Sequence, residues 1–342
     1  MSAEPSCQPD PAAARPPARI DVIIPAYNYG RYLPTCVESV FRQTVAARAV
    51  IIDDASTDDT PEVARVLAAA DPRVTYVRHP RNLGHIATFN EGIGLASADY
   101  MLILSADDFV LPGALDRAVA VMDAHPDVVL AVGDWLEMDP VGLEVPPVPP
   151  AGETEILTGQ QFIERSGPRN LVATPTAVTR TAVQKRVGGY RGELTHAGDM
   201  EMWLRLAVHG SVAFIDAIQA VYRRHPQNMS LGYDIPADLE QRAAALRSFL
   251  PLYRAHFPDG DLMQRRLFRR MAEDSVAHAH LAFNIGCGDQ CDRILAFAET
   301  LHPGIGHSVP ARRLAIKRWL GPGVWSFLAP ALSWGSRSTR CG

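Results

Sequence analysis

The chain repeatedly runs an apolar, strand-length segment straight into acidic residues. Tyr100-Met101-Leu102-Ile103-Leu104 is followed by Ser105-Ala106-Asp107-Asp108, and Val50-Ile51-Ile52 by Asp53-Asp54-Ala55-Ser56-Thr57-Asp58-Asp59. Strands apolar on both faces belong inside a parallel sheet covered by helices. In such a sheet the ligand crevice lies beyond the carboxyl ends of the strands. A third strand, Ile20-Asp21-Val22-Ile23-Ile24, breaks at Pro25 and continues as Ala26-Tyr27-Asn28-Tyr29-Gly30. Three strand ends that carry acidic or aromatic side chains point to one shared crevice. Each acidic pair taken alone also fits a solvated turn or a helix cap.

The pattern predicts strands over 20–24, 48–52, 73–77 and 100–104 and helices near 31–43, 60–70, 84–96 and 112–124, an alternation that makes a mostly parallel α/β sheet. Pro61 and Pro112 suit the first turns of two of these helices. A Pro- and Gly-rich loop is expected over 139–150. Beyond it come Phe162–Arg165, Thr176–Thr179, a helix near 200–209, and strand-like Val212–Phe214 and Ala220–Arg223. From about Ser230 the residues read as helices only.

Four segments then align in order: Val22-Ile23-Ile24-Pro25-Ala26-Tyr27-Asn28, Ile52-Asp53-Asp54-Ala55-Ser56-Thr57-Asp58, Asn82-Leu83-Gly84, and Leu104-Ser105-Ala106-Asp107-Asp108. A fifth lies around Asp199. Together they resemble the ordered motifs of family 2 glycosyltransferases of the GT-A fold, over residues 20 to about 230. The resemblance implies a Rossmann-like, mostly parallel sheet flanked by helices over 19–230, a Pro/Ala-rich disordered leader over 1–18, and a helical C-terminal region over 231–342.

It also implies a hexosyltransferase-type enzyme that uses a nucleotide-sugar, with a UDP-sugar favoured, and a divalent cation, Mn²⁺ or Mg²⁺. By resemblance Asp108 is the direct metal ligand, and Asp107 lies against the donor's ribose or the ion. Asp54 accepts a hydrogen bond from the nucleotide base, and Pro25, Ala26 and Tyr27 form the wall against that base. Tyr29 reads rather as loop packing. Asp199 matches the general base for the acceptor hydroxyl, although a helix N-cap is its alternative. His225, in Tyr222-Arg223-Arg224-His225-Pro226-Gln227-Asn228-Met229-Ser230, is either a metal ligand or phosphate contact, or a packed histidine. Only one of Arg223 and Arg224 can face the site if the segment is extended. Two positions depart from the family pattern: Ser105 stands where an acid is common, and Gly198 stands before Asp199. A single base opposite a leaving diphosphate implies inversion at the anomeric carbon.

Composition bounds the alternatives. The 342 residues are 47% hydrophobic and 21% charged, enough for a large core. The net charge of −5 hides an acidic stretch to residue 230, with 19 basic and 28 acidic side chains, and a basic remainder with 14 and 10. The partners expected are the nucleotide-sugar and a saccharide or lipid-linked acceptor, with no nucleic acid. No apolar run reaches the about 18–20 residues that span a bilayer, so a cytoplasmic protein is expected. Arg312, Arg313, Lys317 and Arg318 beside Trp319, Trp325 and Trp334 leave two readings open: peripheral contact with the inner membrane face, or a solvated helix face. The five scattered cysteines, Cys7, Cys36, Cys287, Cys291 and Cys341, read as free thiols. Two other classes place acids at strand ends. A nucleotidyltransferase calls for a Gly-rich basic loop after the first strand, unlike Pro25-Ala26-Tyr27-Asn28. A decayed fold that only binds sugars or nucleotides would not need Asp54, Asp108 and Asp199 together.

Overall fold

The structure is a computed structural model that describes residues 18–138, 150–226, 228 and 232–332. The leader, the 139–150 loop except Pro150, Cys7, Cys341, Trp334, Gln227, Met229 and Ser230 lie outside the described residues. The chain forms two compact units, one of residues 1–162 and 171–228, the other of 163–170 and 229–342. Residues 163–170, which the sequence pattern groups with the sheet, thus belong to the second unit.

The first unit holds strands β1 (Ile20–Ala26), β2 (Ala47–Asp53), β3 (Val74–Arg78), β4 (Tyr100–Ile103), β5 (Phe109–Val110), β6 (Val128–Met138), β7 (Glu155–Leu157), β8 (Val178–Arg180) and β9 (Ser211–Arg223). Helices α1 (Leu33–Phe41), α2 (Thr60–Ala70), α3 (His85–Leu95), α4 (Ala114–Ala124), α6 (Thr181–Val187) and α7 (Gly198–Ala207) run between them, and α5 (Gly159–Ser166) begins in this unit and ends in the second. The sheet order is β3-β2-β1-β4-β8-β6-β9-β5, with β7 paired to β9. The first four strands are parallel, as the alternation predicts. β8 then joins β4 and β6 antiparallel, and β5 and β7 join β9 antiparallel, so the sheet is mixed at this end.

The largely apolar β1 and β2 bury every residue except Arg48, which lies partly exposed at a strand start. Asp21 is the one acid inside β1, and its burial is matched by full pairing: Arg48 donates to both of its oxygens at 2.8 and 2.9 Å, and the Ser97 and Ala98 amides donate to Oδ2. Helix α4 begins at Ala114 and not at Pro112, because Gly113 takes a left-handed φ of 75° before the first turn.

β6 has no clear signature in the sequence. Its unbroken apolar run is Val128–Val132 alone, and the register with β9 shifts around Gly133 and Asp134. Gly133 is required there, since a Cβ would lie 2.5 Å from Gln219 Cγ and 2.9 Å from the Ala217 carbonyl oxygen. The two strand-like segments after 211 are one continuous strand, β9.

The second unit contains helices α8 (Ile235–His256), α9 (Gly260–Asn284), α10 (Gly288–Leu301) and α11 (Val309–Leu332), packed around Leu239, Met271, Val276, Ile294 and Leu314. Asp274, buried in α9, accepts from Arg242 and from Arg169, which fastens the 163–170 segment into this unit. Cys287 and Cys291 are free thiols one turn apart. Among the described residues no helix is long and apolar enough to cross a membrane.

Candidate active site

Strand register sets where the functional side chains emerge. Ala26 pairs with Asp53, so β1 and β2 end level, while β4 ends opposite Ile23 and its continuation runs on beside Pro25. The Asp54 amide donates to the Ala26 carbonyl (2.9 Å), and the Ala106 amide to that of Pro25 (3.2 Å). Pro25 and Ala26 are buried, whereas the next residue, Tyr27, is 44% exposed. The chain then turns at Asn28, whose φ of 60° is tolerated best by Asn among residues with a side chain. Asn28 Oδ1 accepts from the Thr57 amide (2.8 Å), and the Asn28 amide donates to Ser56 Oγ (2.9 Å). The loops after β1 and β2 are thereby tied together, and an open cleft of about 380 Å³ lies among Asn28, Tyr29, Arg31, Thr57, Asp58 and Asp59.

Asp107 and Asp108 follow β4 and are 5% and 2% exposed. Asp108 Oδ1 accepts from the Arg223 amide (3.0 Å), and Asp107 Oδ2 pairs with His225 Nε2 (3.0 Å). Tyr29 packs beside them, against the core and edge-on to His225. Burial pushes the Asp108 carboxyl well above the usual carboxylate range and the Asp107 charge adds to this; burial also raises Asp107, against the pull of His225. Asp107 Oδ1 has no hydrogen-bond partner. Two buried neighbouring carboxylates, one with an orphan oxygen, form a site that gains from a positive charge.

The closing segment supplies the cover. Arg223 is buried with its guanidinium 5.0 Å from the ring centres of both Tyr32 and Phe109, and its Nε and Nη2 are unpartnered. Arg224 points the other way, to Glu137 at 2.9 Å, which resolves the choice that strand alternation leaves open. His225 is buried, stacked on Tyr32 at 5.4 Å and edge-on to Tyr29 at 5.6 Å. It is thus a packed histidine that also meets Asp107. Among the described residues no three His, Cys, Asp or Glu side chains converge to hold a metal ion. Of the expected ligands, Asp108 accepts from the Arg223 amide through Oδ1 and His225 meets Asp107. A cation held here takes most of its oxygen ligands from elsewhere, as a diphosphate supplies.

Asp54 is 4% exposed and faces the loop after β3. Its oxygens accept from the Leu83 and Gly84 amides (2.7 and 2.8 Å) and pair with His79 Nδ1 (2.7 Å), while His79 Nε2 meets Glu91 at 2.7 Å. The Asn82-Leu83-Gly84 motif is thus shaped by Asp54, and Asp54 is oriented by His79, a residue the sequence does not single out. Burial opposes the imidazolium, but bonds to Asp54 and Glu91 outweigh it and raise the His79 pKa above 6.5.

His79→Gln is expected to destabilise the protein by about 1–3 kcal/mol. A histidine whose folded pKa is raised contributes fully below its unfolded pKa and loses that contribution as pH rises through the folded one. The gap between the two proteins should therefore narrow toward alkaline pH in thermal denaturation. A constant gap would show that the charge on His79 is not what stabilises the loop.

Asp199 lies in the first turn of α7, whose N-cap is Ala197. It does not cap the helix from the N-cap position; its carboxylate accepts from the Met200 amide (2.7 Å) and the Thr174 hydroxyl (3.5 Å). The turn Thr174–Thr176, whose Thr174 hydroxyl reaches Asp199, packs against β4, β5, β6 and β9.

Residues 21–147 match the model of the glycosyl transferase family 2. The uncharacterized glycosyltransferase YibD of Escherichia coli (strain K12) is 35% identical over 119 residues, which are 34% of this chain and 34% of that one. The chain thus spans about a third of that relative's length. Among solved structures, S. aureus TarS 1-349 in complex with UDP-GlcNAc has a TM-score of 0.52 at 19% identity, covering 85% of this chain and 76% of that one. The mannosyltransferase PcManGT from Pyrobaculum calidifontis, in complex with GDP-Man and Mn²⁺, has a TM-score of 0.53 at 18% identity, covering 97% and 84%. Identities this low speak to shared fold alone. Residues 21–147 are thus similar to the glycosyl transferase family 2, and the chain shares its fold with these two solved glycosyltransferases.

Proposed function

We propose that the chain transfers a hexose from a nucleotide-sugar to a glycan, a lipid-linked saccharide or a small-molecule acceptor, with inversion at the anomeric carbon. The observation that carries this reading is the buried Asp107–Asp108 pair with its unpartnered Oδ1, held at the sheet end by Arg223 and His225. Asp107 and Asp108 are the residues that would hold a divalent cation, Mn²⁺ or Mg²⁺, which when bound neutralises the leaving diphosphate. Asp108 and Asp107 fix where the diphosphate end of the donor lies, and Pro25, Ala26 and exposed Tyr27 form the base-facing wall. Asp54 orients the 82–84 loop beside that wall and retains acceptor capacity for a ring N–H. Asp199 accepts the acceptor hydroxyl's proton as that oxygen attacks.

In this reading 19–230 is the catalytic domain, and 231–342 is an acceptor- or membrane-facing helical region, in a cytoplasmic protein working at the inner membrane face. The two ligand-bound neighbours carry UDP-GlcNAc and GDP-Man, so titration decides the base. Calorimetry with UDP, GDP and dTDP, each with and without Mn²⁺ or Mg²⁺, is expected to give metal-dependent binding of UDP. Absence of binding by any of them would sink the transferase reading and favour a sugar-binding protein on a decayed fold.

A further inference from the structure

After Glu299 the chain contains no Asp or Glu, and six basic residues: Arg312, Arg313, Lys317, Arg318, Arg337 and Arg340. Helix α11 sorts the first of these against apolar residues. Its inward positions are Ala311 and Leu314, 6% and 0% exposed. At α-helical spacing Val309, Arg312, Arg313, Ile316 and Trp319 fall on the opposite side, within an arc of about 120°. Val309, Ile316 and Trp319 are 63%, 56% and 84% exposed, and both arginines are exposed. Arg318 is turned to Asp292, and the Lys317 ammonium sits 4.7 Å from the Trp325 ring centre, so neither interrupts this face.

We propose that this face of α11 seats on an anionic lipid bilayer, with Trp319 and Ile316 entering the headgroup region and Arg312 and Arg313 meeting lipid phosphates. Exposed arginines beside exposed apolar residues can meet anionic headgroups from the same side, and Trp is suited to the water–lipid boundary. Charge selects this occupant. A two-fold pairing of two copies would bring Arg312 and Arg313 against their own equivalents, and residues 333–342 are themselves basic. A nucleic-acid backbone would leave the three apolar side chains without a function. The inference deepens the transferase reading by giving a lipid-linked acceptor a surface to be presented on; it rests on that reading for purpose only, because lipid binding involves no sugar transfer.

The test is flotation of the full chain with phosphatidylcholine vesicles, with and without phosphatidylglycerol, at low and high salt. Binding is expected only with phosphatidylglycerol and should weaken as salt screens the arginines. Ile316→Ser with Trp319→Ser should lower partitioning about tenfold or more, and Arg312→Glu with Arg313→Glu by a similar factor. Both double variants should keep wild-type melting and nucleotide affinity. No binding to anionic vesicles at low salt, undiminished binding by both variants, or a wild-type dimer in gel filtration that the variants dissociate would each overturn the proposal. Vesicle binding without any nucleotide binding would uphold this surface and remove the transferase reading instead.

Discussion

Asp108→Asn is expected to make the nucleotide-free protein more stable while removing metal-dependent nucleotide binding and lowering sugar transfer by about 10²–10³-fold. Both effects come from one arrangement. Asp108 is 2% exposed beside Asp107, and burial together with that neighbouring charge holds its carboxyl well above the usual range. An acid with a raised folded pKa contributes stability at low pH that is lost as pH rises from about 4 through the folded value. Ionising the buried pair therefore costs the ligand-free fold stability as pH rises, and an isosteric amide relieves that cost. The amide oxygen can still accept from the Arg223 amide, so the 3.0 Å bond to β9 need not be lost. Stability gained with function lost is the expected signature of a charge kept for a ligand. Thermal denaturation with and without Mn²⁺ and UDP checks both halves. An Asn variant that melts below wild type in the absence of ligand would assign Asp108 a structural role and overturn this account.

What the sequence makes legible is local. The acids after β2 and β4 stand out because each follows an unbroken apolar strand, and parallel pairing then points those strand ends the same way. The partners of those acids are not legible, since Asp107 meets His225 across 118 positions and Asp108 meets Arg223 across 115. Alternation predicts that one of Arg223 and Arg224 points inward, but the hand of β9 is set by its pairing with β5 and β6. The two tyrosines near Asn28 differ as the pattern reads them: Tyr27 is exposed, and Tyr29 packs on the core. The turn at Asn28 decides which of them faces inward, and its φ of 60° is stabilised by the loop after β2, about 28 residues away. His79 escapes notice because a lone histidine after a strand carries no spacing signal; its meaning comes only from Asp54 and Glu91. β6 is obscured by its own bulge, which breaks the period of two after Val132.

Asp199→Asn is expected to slow sugar transfer by about 10²–10⁴-fold, the usual worth of a positioned general base, with nucleotide affinity unchanged. The amide is the same size, and its oxygen can keep the contacts to the Met200 amide and the Thr174 hydroxyl. What it loses is the capacity to take a proton. The position favours a charged carboxylate, since the first turn of α7 presents the positive end of the helix dipole. Replacing that charge weakens the helix start by about 0.3–1 kcal/mol, a small change in melting temperature that cannot produce a hundredfold loss of rate. Rate and stability thus separate a base from a helix-end charge. If Asp199 is the base, the turnover number falls while metal-dependent UDP affinity holds, and Asp199→Glu recovers part of the rate because it restores a carboxylate. If the residue serves only the helix, Asp199→Asn turns over like wild type with slightly lower melting, and the proton must be taken by another group.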